Sequence, residues 1–505
     1  MVFKSLLAIE KQARHGYVSE SFLNDTGIDR IIKGIVGNND RYDIAKILKN
    51  PLSAKSDIRY RQGIFSDLSD VLLFDEILEF AQKMDTVKSM LSNDNDSSEA
   101  YRHERSILDA SYIYIDSIHA ILEKIKTLHL NSAGLINFFN FLREYSVSPE
   151  FASLLADTKN TGGMLSEVRY SLLIKNDRVT VGRYIDGNDY SEAVIDAFKE
   201  ISEAGKGQDA GQKHGNSINN IDYMILEKIA MLEPEPFQEL HKFYSKHRGF
   251  YNKNIEIFAV EIKYYIECIK FINSISNKGL KFTLPEITDS KDCISCQNVF
   301  NIALALPPGD RDLATVANNF YFNDKNCIVI TGRNNGGKTT FAGAIAQVFY
   351  LGSLGMPVPA SHAIITAIAK YFSHYEAREN TAELKSALEN DILRIRDIIS
   401  IADSSSLVII NEMFSSVTLD DARKLGNIVI NRLSDAGVLS VYVTFVRELA
   451  YNDNAISMAC RIDKYRPEIP TYRIEPAEPD NFSYAMLLEK KYGLDEKSVY
   501  SRVAR

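Results

Sequence analysis

Cys327-Ile-Val-Ile-Thr331-Gly332-Arg-Asn-Asn-Gly-Gly337-Lys338-Thr339 decides how this chain folds. A short apolar, β-prone run leads into a segment of the form GxxxxGK[ST], and a helix-forming run, Thr340–Leu351, follows at once. Glycines let backbone N–H groups turn inward around phosphate oxygens, and the helix N-terminus adds the positive end of its dipole. In that layout Lys338 reaches the β- and γ-phosphates of a nucleoside triphosphate and the Thr339 hydroxyl ligates Mg2+. The candidate ATP-binding residues are therefore Gly332, Asn334, Asn335, Gly336, Gly337, Lys338, Thr339 and Thr340.

Downstream, Leu407-Val-Ile-Ile-Asn411-Glu412 is an apolar strand that ends in two polar residues, the layout of a Walker B segment. An acid at the first position would hold the Mg2+ shell. Asn411 stands there instead, an amide that accepts a hydrogen bond from a metal-bound water but carries no charge. Glu412 is the candidate general base, with Lys338 as its catalytic companion on the phosphates; a buried strand with a chance glutamate is the plainer alternative. Val438-Leu-Ser-Val-Tyr-Val-Thr444 is a third buried-type strand, and helical stretches separate the three. From Asn326 onward the pattern is that of a parallel sheet with covering helices.

Upstream the period changes. Residues 1–160 read mostly as helix, and Ile107, Leu108, Tyr112, Ile115, Ile118, Leu122 and Ile125 fall on one helical stripe. Val168–Tyr184 reads as a β-hairpin around Lys175-Asn-Asp177, and residues 203–219 as a flexible excursion rich in Gly, Gln and Asn. Helical pattern resumes from Tyr223 to about Ile275, and Phe282–Asn301 reads as the entry to another domain. The expected fold class is α + α/β: a helical domain over 1–285 with a small β excursion near 165–220, then a P-loop ATPase domain over 286–505.

With 505 residues, two or three domains are expected. A net charge of −9 means that any nucleic-acid contact must use a local basic patch. The opening apolar run is too short for a secretory signal, and no stretch offers the roughly 18 apolar residues of a membrane span. Five scattered cysteines fit reduced thiols and a cytoplasmic protein. Cys293-Ile-Ser-Cys296 lacks the second pair that a zinc site needs, so a chance pair is the simpler reading.

These residues resemble the MutS family of DNA mismatch repair ATPases, whose ATPase domain is of the ABC class. Thr331–Thr340 resembles the family's TGPNMGGKST, and Leu351–Ala360 its QIGSFVPA stretch. Val408–Glu412 resembles LLDE, and Val443–Leu449 resembles ATHYHEL. The end, Asn481–Tyr484 to Tyr492–Leu494, is similar to SYGIEVAKLAGLP, and Pro51–Gln62 to the start of the family's core and lever region. The departures are specific. The mismatch-reading domain, for which residues 1–40 are expected to be too few, and the wedge motif and connector are all expected to be missing. Asn411 replaces an aspartate, Phe445 the H-loop histidine, and Ser353 a glutamine. Met413–Val417 lacks the D-loop glycines, although Asp421 matches.

The resemblance implies ATP and Mg2+ as cofactors and a homodimer in which Asn380 and Thr381 cap the partner's γ-phosphate. It also implies that Asn318 precedes the ATPase sheet and that Val316 offers an apolar surface to adenine, beside Thr315. It implies a DNA repair or recombination clamp that holds branched or duplex DNA without regard to sequence, in the cytoplasm or on a bacterial nucleoid. The basic and aromatic cluster His241–Lys253, with Lys242, Lys246 and Arg248, is one candidate DNA contact, and the hairpin cations Arg169, Lys175, Arg178 and Arg183 are another. Packing helices with solvated cations produce both patterns as well. Two other functions stay open: a nucleotide-binding structural or regulatory protein with impaired hydrolysis, and a recombination or SMC-type ABC ATPase, against which the missing heptad coiled coil counts.

Overall fold

The computed structural model describes residues 3–9, 13–38, 40–92, 100–175, 178–184, 215–306, 315–375, 387–463 and 469–478. It divides into two compact units, one of Asp75–His129 with Phe138–Ala259, the other of Val2–Phe74, Leu130–Asn137 and Val260–Arg505. The strands in chain order are β1 (Tyr17–Val18), β2 (Tyr170–Lys175), β3 (Arg178–Arg183), β4 (Glu286–Thr288), β5 (Ser295–Val299), β6 (Asn318–Tyr321) and β7 (Cys327–Thr331). They continue with β8 (His362–Thr366), β9 (Lys370–Tyr375), β10 (Ser406–Asn411), β11 (Leu439–Val443), β12 (Ala455–Ile462) and β13 (Pro470–Pro476).

Among the described residues the first unit is helical apart from the β2–β3 hairpin. Along helix Ala100–Ile125 the side chains of Ile107, Leu108, Ile115, Ile118, Leu122 and Ile125 are buried, as their spacing dictates. Tyr112 is only partly buried, and its hydroxyl donates to Thr158 O at 3.0 Å. Phe138 and Phe258 stack at 3.5 Å in the same core. The hairpin pairs Lys175 with Arg178 at its tip. The run expected as one helical stretch from Tyr223 is three helices, Gly215–Leu232, Pro234–His247 and Lys253–Ser276. Pro234 starts the second because a proline has no N–H to continue the first.

The second unit carries a seven-stranded sheet in the order β1-β9-β10-β11-β7-β12-β13. Its pairs are parallel except β12 with β13. Every residue of β7 and β11 is buried, so both strands read as continuous apolar runs rather than alternating ones. Helix Lys338–Ser353 is buried almost end to end, and small residues such as Ala342, Ala344 and Ala346 let it lie close to its neighbours. A second sheet, β4-β8-β5-β6, is mixed.

Residues 2–74 belong to the unit that holds this sheet, which departs from the boundary expected at 285/286. Tyr17 and Val18 pair in parallel with Lys370 and Tyr371, and the Phe22 ring lies 5.2 Å from that of Tyr371. A two-residue strand has no period to read, so this edge was invisible in the sequence. Of the excursion expected over 203–219, residues 215–219 instead open helix Gly215–Leu232, and the rest, with the closing Asn481–Leu494 stretch, lies outside the described residues.

Candidate nucleotide site

The loop between β7 and helix Lys338–Ser353 takes its shape from left-handed residues. Gly332 has φ 134°, Asn335 58° and Gly337 91°, conformations that side chains disfavour. A Cβ on Gly332 would lie 2.7 Å from Cys460 Cβ, so the loop rests directly on β12. Gly337 caps the helix, and no side chain caps the helix's first N–H groups. Those donors face the loop with the positive end of the helix dipole behind them. This is a cradle for an anion.

Lys338 is 4% exposed. Its ammonium donates to Gly332 O and Arg333 O at 3.0 Å each and to Asn334 Oδ1 at 3.4 Å. Burial pushes its pKa below the ordinary lysine value, while the nearby Cys460 and Glu412 pull it back up. Glu412 Oε1 is 3.9 Å from the ammonium. Thr339 Oγ1 donates to Asn411 Oδ1 at 2.7 Å, joining residues 72 positions apart. The two motifs thus meet at the carboxyl end of the sheet, where parallel α/β sheets bind ligands. Glu412 leaves β10 in a left-handed conformation, φ 52°, and its N–H donates to Val443 O at 2.9 Å.

The oxygen ligands and the uncapped helix terminus fit a nucleoside triphosphate. Thr339 and Asn411 supply hard oxygen donors suited to Mg2+, both of them neutral. Among the described residues no group of three or more His, Cys, Asp or Glu could hold a metal by itself. Val316 is half-buried two residues before β6. Asn318 is fully used: its amide nitrogen donates to Tyr472 O at 3.0 Å and its oxygen accepts from Ile474 N at 2.7 Å, so it pins β13 beside the loop. Asn380 and Thr381 lie outside the described residues.

Residues 328–470 match the family model for MutS domain V. The chain is 24% identical over 280 residues to a DNA mismatch repair protein MutS of Borrelia turicatae, covering 54% of this chain and 31% of that protein. It is 21% identical over 348 residues to a DNA mismatch repair protein MSH3 of Debaryomyces hansenii, covering 63% of this chain and 32% of that protein. An Endonuclease MutS2 of Agathobacter rectalis is 26% identical over 182 residues, covering 35% of this chain and 23% of that protein. These matches support membership of the MutS family. The chain spans about a third of the length of the first two of these relatives.

The departures from the MutS pattern sit at defined places. Phe445, at the H-loop position, is 42% exposed and follows the end of β11 by two residues. Asp421 makes a reciprocal cap with Thr418: Thr418 Oγ1 donates to Asp421 Oδ2 at 2.7 Å and accepts from Asp421 N at 3.3 Å. It serves the start of helix Leu419–Asp435. Ser353 is buried at the end of the loop-bearing helix, where its hydroxyl donates to Phe349 O at 3.0 Å and also meets the Tyr371 hydroxyl. Cys293 is exposed and Cys296 buried, both as free thiols.

The candidate DNA contacts differ among themselves. In the 241–253 cluster Phe243 and Phe250 point into the core. Lys242 pairs with Glu239 at 3.1 Å, and Lys246 with Asp157 at 2.6 Å. His241 and His247 are taken by Glu104 and Asp157. The cluster's cations are thus partly neutralised, Lys242 by an acid one helical turn away and Lys246 by Asp157, some ninety residues earlier in the chain. Arg248 and Lys253 are exposed. On the hairpin Arg169 lies over the Tyr184 ring at 5.7 Å, and Lys175 is exposed at the tip.

Proposed function

We propose that this chain is an ATP-binding, slowly hydrolysing MutS-type protein that acts as a DNA clamp in repair or recombination. The Thr339–Asn411 hydrogen bond carries the reading, because it unites the phosphate loop with the strand that ends beside the candidate base. MutS domain V, matched over 328–470, is the family's ATPase domain, and relatives named for mismatch repair support the DNA role. ATP supplies the phosphoanhydride bond whose occupancy and cleavage switch the clamp. Lys338 exchanges its carbonyl partners for phosphate oxygens; Gly332, Asn334, Asn335, Gly336, Gly337 and Thr340 shape the loop around them. Val316 faces the base. Thr339 and Asn411 would hold Mg2+, Asn411 through water, and Glu412 orients and deprotonates the attacking water.

The ATPase domain pairs with a second copy through Asn380 and Thr381, since an ABC-type site is completed from across the dimer. Arg169, Lys175, Arg178 and Arg248 are the better DNA candidates, because Lys242 and Lys246 already face acids. Among the described residues no helix is long and apolar enough to cross a membrane. The cytoplasm, or the nucleoid in a bacterium, is the site of action proposed.

The neutral Asn411 and the exposed Phe445 favour one second reading, a nucleotide-gated binding protein that barely hydrolyses ATP. Steady-state ATP turnover with and without duplex DNA separates the two. Turnover that rises with DNA and disappears in Glu412→Gln supports the clamp. Nucleotide binding without any turnover supports the gated binder.

A further inference from the structure

We infer that Asp391 is a positioning residue for Glu412, holding the turn that carries the candidate base. The inference rests on the hydrolytic reading above. After β10 the chain passes through Glu412 at φ 52° and Phe414 at φ 65°, two left-handed residues with side chains. Such a turn reverts to ordinary conformations unless its surroundings hold it. Met413 and Phe414 are 2% and 1% exposed, so the backbone polar groups beside them need partners within the protein.

Two contacts supply the hold. On one side Glu412 N donates to Val443 O on β11 at 2.9 Å. On the other, Phe414 N donates to Asp391 Oδ2 at 3.1 Å. Asp391 belongs to helix Ala387–Ile401, and its carboxylate is 16% exposed. A charge-assisted bond in so dry a setting is stronger and more directional than its counterpart in water.

The carboxylate's other oxygen faces a histidine. Asp391 Oδ1 lies 3.3 Å from Nε2 of His374 on β9, close but without hydrogen-bond alignment. The His374 ring is fully buried, and burial with Arg394 nearby holds its pKa down to about 4, so it is neutral at physiological pH. Arg394, one turn along the same helix, donates to Tyr375 O at 3.1 Å. The helix is thereby tied to the end of β9 on one flank and to the Glu412 turn on the other. Neither Asp391 nor His374 touches the phosphate loop through any contact described above, so the effect of Asp391 on chemistry runs through Glu412.

The test uses the full chain. ATP turnover, Mg-ATP affinity by calorimetry, the thermal midpoint and hydrogen exchange of the 412–416 peptide are compared in wild type, Asp391→Ala and Asp391→Asn. Alanine removes the acceptor, and asparagine keeps an acceptor oxygen without the charge. We expect kcat in Asp391→Ala to fall about tenfold or more, affinity to stay within about twofold, and exchange at Phe414 to rise. Asp391→Asn should recover most of the turnover and the protection. Unchanged turnover in the alanine variant, or an affinity loss matching its turnover loss, overturns the inference. So does an asparagine variant slowed about tenfold, which stands as a test even if the alanine variant unfolds. Wild type that binds Mg-ATP through Lys338 but shows no turnover defeats the hydrolytic reading and this inference together. Wild type that turns over beside an unaffected alanine variant defeats this inference alone.

Discussion

Asn411 gives Thr339 an oxygen to bond but places no negative charge beside a cation. Across a few ångströms of partly buried space one unit charge is worth several kcal/mol in gross electrostatic terms, even at the effective dielectric of a protein surface. Asn411→Asp should therefore bind Mg2+ more tightly and raise turnover by about tenfold, as read by Mg2+ titration of the ATPase rate. An aspartate variant no faster than wild type would shift the rate limit elsewhere, with Phe445 the next residue to change. His374 allows a second expectation at this scale. Its folded-state pKa is about 4 against an ordinary 6.5, so the folded protein prefers the neutral ring. Below pH 6.5 the unfolded chain binds a proton that the folded chain refuses. Stability contributed by the neutral ring is thus present at pH 7 and lost as pH falls from about 6.5 toward 4, by up to roughly 3 kcal/mol. Thermal midpoints of His374→Gln should fall less steeply across that window than those of wild type; identical slopes would contradict the assignment.

At the scale of elements, the pieces with strong local pattern were legible and the pieces made by distant contacts were not. β7, the glycine loop and the helix after it follow from apolar run, glycine spacing and helix propensity within a short stretch. The hairpin around Lys175 is equally local, as is the buried stripe of Ile107 to Ile125. β1 could not be read, because its order comes from backbone bonds to β9, more than three hundred residues away. Asp391 gave no signal either: an acid near the start of a helix is common, and only the fold brings Phe414 N to it. The 241–253 cluster read as a DNA surface because Asp157, which pairs with Lys246, and Glu104, which meets His241, come from another part of the chain. Asp421 read as a D-loop residue, and it sits in a helix cap with Thr418. Thr418→Ala should accordingly cost about 1 kcal/mol of stability in denaturant titration, while Mg-ATP affinity stays unchanged. A stable variant that loses nucleotide would place Thr418 in the site instead.

Taken whole, the molecule is acidic, with a net charge of −9, and two cations of its candidate DNA contacts, Lys242 and Lys246, already face acids. Phosphate contacts orient a protein on nucleic acid without reading its sequence. DNA binding should therefore be modest at physiological salt, indifferent to sequence and steeply weakened by added salt. Gel shifts of homoduplex, single-mismatch duplex and four-way junction at two salt concentrations check this; a clear preference for the mismatch would contradict it. The proposed function depends on the nucleotide, and the most direct measurement is calorimetric titration of Mg-ATP into wild type and Lys338→Ala. Replacing the buried ammonium, which now rests on Gly332 O and Arg333 O, should weaken Mg-ATP at least about tenfold, or about 1.4 kcal/mol. Equal affinity in the two proteins would mean that this loop is not where the chain holds ATP.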